Sequence, residues 1–234
     1  MKPMLSLSAI ALLVGSTMAF AGPVQDFETA LRGSYGDYRM ALFATNSGDA
    51  AKSAKATGAF ATSWAALSAS YGTTPPPQYE TDAAYAETFA AVQAQIDAAQ
   101  ADIDAGALPK AHEVLEGVRG AIGSLHERND IASFSDRMNA YHAAMEEVLG
   151  LDLATADAVT LAEHAGVMGY LAAEIVRLPA PEAAGNADYA NLQDAFTASV
   201  KAYSAAVKAG DAAAIKVAVD GLKVPYSKFF LMFG

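Results

Sequence analysis

"AHEVLEGVRGAIGSLHERNDIASFSDRMNAYHAAMEEVLG", residues Ala111–Gly150, reads as two amphipathic helices around one short connection. In the first, Ala111, Leu115, Val118, Ile122 and Leu125 recur every three or four positions. In the second, Phe134, Met138, Tyr141, Met145 and Val148 do the same. With 3.6 residues per turn, that spacing places the apolar side chains on one face. The short connection predicts antiparallel neighbours. This hairpin is the unit from which the rest of the chain is read.

The pattern continues on both sides. Alanine, the best helix former, is abundant, and strand-like alternation is absent. Helices are predicted at 24–46, 49–71, 82–104, 108–128, 133–149, 155–177, 187–209 and 211–222, with a short tail helix from Pro225. Asn46-Ser47-Gly48-Asp49 and Ala209-Gly210-Asp211 are tight turns that lead into aspartate N-caps. The predicted fold class is all-α, with eight helices in an up-down arrangement plus the tail.

The chain also repeats itself at an offset of 104 residues. Pro75, Pro77, Ala83, Tyr85 and Ala86 match Pro179, Pro181, Ala187, Tyr189 and Ala190. Ala105-Gly106 matches Ala209-Gly210, and "EGVR" from Glu116 meets "DGLK" from Asp220. Shared proline and glycine positions are harder to obtain by chance than shared alanines. The expectation is two tandem four-helix units, 22–129 and 130–234, joined near Asn129-Asp130.

Residues 1–21 read as a signal peptide: Lys2, a short apolar run, then Ala19-Phe20-Ala21 as an A-x-A cleavage site. A mature chain beginning at Gly22 would be periplasmic or secreted. The apolar run is too short for a membrane anchor, so no membrane insertion of the mature chain is expected. The chain has no cysteine. That excludes disulfides, covalent c-type haem and thiolate metal sites. The net charge is −11 with Lys2 included, a balance that disfavours nucleic acid.

Three of the four histidines fall in the quoted stretch. His112/Glu116 and His142/Glu146 are both i, i+4 pairs, each at the edge of its helix's apolar stripe. Across the repeat, His142 faces Tyr38, Glu146 faces Leu42 and His112 faces Lys216. The histidines therefore belong to one place and not to the shared scaffold. Imidazoles and carboxylates on facing helices are the usual donors of a bundle metal site. Met145 adds a soft donor, so His112, Glu116, His142, Glu146 and Met145 are the candidate metal ligands. Glutamate and histidine suit iron, and methionine with histidine suits copper. Binding by neutral imidazole predicts weakening as pH falls through about 6–7. The same residues also fit a structural polar seam, with Arg119 paired to Glu116 or Glu146. His126, near a helix C-terminus, reads as a complement to the helix dipole and stays outside the site.

No G-x-S-x-G, P-loop or H-E-x-x-H motif is present, so no enzyme activity is expected. An exported pair of four-helix units with "AHEVLEG" on one helix resembles the imelysin family and related periplasmic iron-uptake proteins. The resemblance implies an iron-related His/Glu pair, for which His112 and Glu116 stand here, four residues apart. The functional expectation is a transition-metal binding or delivery protein, for iron or copper, whose partner is a membrane metal transporter or another periplasmic protein. The alternative is a non-metal module that binds a protein or peptide in a groove between the halves.

Overall fold

The computed structural model describes residues 22–234, so the predicted signal peptide lies outside the described residues. Helices form where the sequence can both start and stop them. They are α1 (Pro23–Asn46), α2 (Ala50–Tyr71), α3 (Tyr85–Asp104), α4 (Leu108–Arg128), α5 (Phe134–Leu149), α6 (Ala158–Arg177), α7 (Ala187–Ala209), α8 (Ala212–Asp220) and α9 (Lys223–Phe233). No strand occurs among the described residues. Asp49, Asp157, Asn186 and Asp211 each accept from backbone N–H groups of the first turn that follows. Ser133 and Asp136 satisfy each other's backbone N–H in a capping box at the start of α5. Gly106 and Gly210 follow helix ends at φ 73° and 66°, a left-handed conformation that costs glycine little.

In the first half, α1 packs on α2 and α4, and α3 packs on α2 and α4, closing a ring of four. In the second, α6 packs between α5 and α7, and α9 closes the ring against both α5 and α7. At the 104-residue offset, α4 corresponds to α8 and α9 together. Proline explains the interruption. Pro225 lacks the N–H that would bond Gly221, and its ring would strike that carbonyl in a continuous helix. What the sequence suggests as a tail is therefore the fourth wall of the second ring. It buries Tyr226, Phe229, Phe230 and Phe233.

Aromatic residues fill both rings. Phe27 meets Tyr79 at 5.0 Å and Trp64 meets Phe89 at 5.1 Å in the first. Tyr141 meets Phe196 at 4.7 Å and Tyr189 meets Phe229 at 5.1 Å in the second. Each such ring contributes roughly 1.5–3 kcal/mol by leaving water. One buried cluster runs through both halves, from Phe27 to Phe233. Polar contacts also join α1 to α9. Arg32 donates to Phe233 O at 2.9 Å, and Arg39 to Met232 O at 3.4 Å. Among the described residues, no helix is long and apolar enough to cross a membrane.

Candidate functional site

His112 and Glu116 on α4 and His142 and Glu146 on α5 all line one cavity of about 410 Å³. The i, i+4 spacing and the short connection bring both pairs together. Two helices distant in sequence complete the walls: α1 supplies Arg39, Leu42 and Phe43, and α9 supplies Lys223, Tyr226 and Phe230. The cavity thus sits where the two rings meet.

The polar side chains form one continuous chain. His112 Nε2 is 3.5 Å from Glu116 Oε1, and Glu116 Oε2 is 2.9 Å from Arg119 Nη1. Arg119 Nη1 is 2.5 Å from His142 Nδ1. His142 Nε2 is 3.5 Å from Glu146 Oε1, which pairs with Lys223 Nζ at 3.2 Å. Arg119 and Lys223 occupy matched positions of the repeat, and each holds one glutamate. Arg119 also lies over the Phe230 ring, 5.2 Å from its centre.

Hydrogen-bond chemistry assigns the tautomers. Arginine only donates, so His142 Nδ1 accepts and its proton sits on Nε2, facing Glu146. Burial, then the charges of Arg119, Lys223 and His112, push His142 down to about 3. His142 is therefore neutral through the range about 6–7 in which a histidine-dependent site was expected to titrate. His112 Nδ1 lies 3.1 Å from Leu42 O and 3.2 Å from Thr45 Oγ1. A carbonyl only accepts, so Nδ1 carries the proton and Nε2 turns its lone pair toward Glu116. Two acceptors then face each other, and something with a positive charge or a proton would join them.

On the opposite wall the unmet groups are donors. Arg39 Nε and Nη1, Arg119 Nε and the Tyr226 hydroxyl are buried without a partner among the described residues. Arg39 is only 8 % exposed. Burial, with Arg32 nearby, pulls its guanidinium down to about 10. Buried donors of this kind cost about 1–3 kcal/mol each until an acceptor reaches them.

Met145 is fully buried on the core stripe and does not line the cavity. His164 lies apart, 3.9 Å from Glu147. Among the described residues, no three His, Asp or Glu side chains form a group able to hold a metal. Sequence reasoning missed Arg39, Lys223 and Tyr226. Only the pairing of Arg119 with Glu116 had a local signal, the i, i+3 spacing. Comparison with known proteins finds no matching family model, no matching curated protein and no matching solved structure.

Proposed function

We propose that this chain is an exported binding protein, periplasmic in a cell with two membranes, and that its cavity seats a small carboxylic acid. The observation that carries this reading is the set of unmet donors on Arg39, Arg119 and Tyr226, all lining one cavity. A guanidinium binds a carboxylate with two parallel hydrogen bonds, and Arg119 is already oriented by Glu116 and His142. Leu42, Phe43 and Phe230 provide the apolar wall that a small organic body needs. The facing pair His112/Glu116 would accept an ammonium, which favours acids that also carry an amino group. Binding without catalysis is the role.

A transition metal is the second reading, favoured by His112. Its Nδ1–H donates to a carbonyl while Nε2 faces Glu116, the orientation of a metal-bound imidazole. Glu116, His142 and Glu146 could join only if Arg119 and Lys223 withdrew, and Met145 only if the core opened. Iron or copper passed to a membrane transporter would then be the role. Thermal unfolding with a panel of small amino and non-amino acids tests the first reading. A rise in melting temperature that disappears in Arg119→Met supports it, and no rise across the panel refutes it. Stabilisation by iron or copper, lost in His112→Ala and kept in Arg119→Met, would favour the second.

A further inference from the structure

His126 lies one turn before the end of α4, where α1, α5 and the Pro77–Tyr79 turn converge. It is 4 % exposed. Its Nδ1 is 2.7 Å from Asp136 Oδ2, so Nδ1 carries a proton that it donates to that carboxylate. Its other nitrogen, Nε2, has no hydrogen-bond partner among the described residues. Glu28 Oε2 lies 3.4 Å away, outside hydrogen-bond geometry. The second Glu28 oxygen accepts from the hydroxyl of Tyr79, a fully buried side chain. An imidazole nitrogen, a carboxylate and a phenol oxygen thus meet from three separate elements.

This spacing is what a shared ion requires. Ligand atoms about 2.0–2.2 Å from one ion, at tetrahedral or octahedral angles, lie roughly 3–3.5 Å from each other. They also lie off one another's bonding axes, as Nε2 and Glu28 do. A plain imidazolium clamp between two carboxylates would aim both N–H bonds at oxygen, and here only Nδ1 does so. A carboxylate on the far ring nitrogen is the device that fixes the tautomer and tilt of a metal-bound histidine. Asp136 fills that place. It is held in turn by the Ser133 backbone N–H at 2.8 Å, part of the α5 cap. Glu28 and Asp136 keep 24 % and 23 % of their side chains exposed, so water can reach the group.

We propose that Tyr79, Glu28 and His126 bind a hard first-row metal ion, ferric iron, with Asp136 orienting the imidazole. Two oxygen donors and one nitrogen suit a hard ion better than copper(I). Binding releases the phenol proton to solvent, and water completes the coordination. The site is separate from the cavity lined by His112 and His142, and it stands or falls independently of the ligand that cavity takes.

The test uses ferric nitrilotriacetate added to chelator-stripped protein. One iron per chain is expected, with the visible colour of phenolate-to-iron charge transfer. Tyr79→Phe removes one oxygen and should abolish the colour and weaken binding at least tenfold, with the far-UV helix signal unchanged. Glu28→Gln, at a partly exposed position, should weaken binding without touching the core. His112→Ala should leave both colour and stoichiometry as they were. A colourless wild type, colour retained in Tyr79→Phe, or iron lost in His112→Ala and kept in Glu28→Gln would each overturn the proposal.

Discussion

His126 and His142 stand on neighbouring helices, both mostly buried, and their protons behave in opposite ways. Burial opposes charge on both rings. At His142 the next neighbours are Arg119 and Lys223, and the ring stays neutral down to about 3. At His126 burial is outweighed by Asp136 and Glu28, and the ring is raised to about 9. The α4–α5 hairpin therefore has a cation-lined end and a carboxylate-lined end. Burial depth alone does not predict the charge of a histidine; the sign of the nearest fixed charges does.

The comparison can be broken most forcefully at the carboxylate end. Asp136→Ala removes the main partner of a buried imidazolium and half of the α5 capping box. A loss of about 3–5 kcal/mol in urea unfolding of metal-free protein is expected. A loss below about 1 kcal/mol would mean that His126 is not charged there. At the cation end, Arg119→Met leaves Glu116 and His142 without their shared donor. It should cost about 2–3 kcal/mol and raise the His142 titration seen by NMR toward the ordinary histidine range. A His142 resonance that still titrates near 3 would show that burial alone holds it down.

The two ends also predict different pH limits. A folded pKa below the unfolded value means that stability is intact above about 6.5 and falls as pH drops from there toward 3. His142 should therefore cost about 2 kcal/mol by pH 5, and His142→Gln should flatten that decline. His126 has the opposite sign: its contribution is full below about 6.5 and is lost as pH rises through about 9. A stability curve in which His142→Gln changes nothing between pH 6.5 and 5 would reject the neutral assignment. The smallest effect belongs to Lys223→Met. The Lys223–Glu146 pair is exposed, so its loss should change stability by less than about 0.5 kcal/mol while moving the His142 titration slightly upward.

Helices were readable because their ends carry short-range chemistry. The stretches 108–128 and 187–209 coincide with α4 and α7, where Pro109, Asn186 and Gly210 mark the limits. The cavity was half readable. Spacing and a short connection bring His112, Glu116, His142 and Glu146 together, and the pairing of Arg119 with Glu116 was among the readings. Which helix covers them was not readable, because it depends on the break that Pro225 enforces and on packing between α1 and α9. Met145 followed the apolar period and went inward with it. His126 was read as a dipole complement because Glu28 lies far upstream. Asp136, ten residues on, was the overlooked signal: the two face each other across the base of a hairpin.

The Arg39 and Arg32 contacts with α9 join residues 193 and 201 positions apart. Almost the whole polypeptide is looped out between the two sides of the cavity, and closing so long a loop is an entropic cost borne only by complete folding. A guest that touches Arg39 and Tyr226 together has no partly folded host. Its affinity should therefore appear in full as a shift of the global melting curve, growing as RT ln(1 + [L]/Kd). Hydrogen exchange should then slow in the slowest core amides of α3 and α7, far from the guest, as much as beside it.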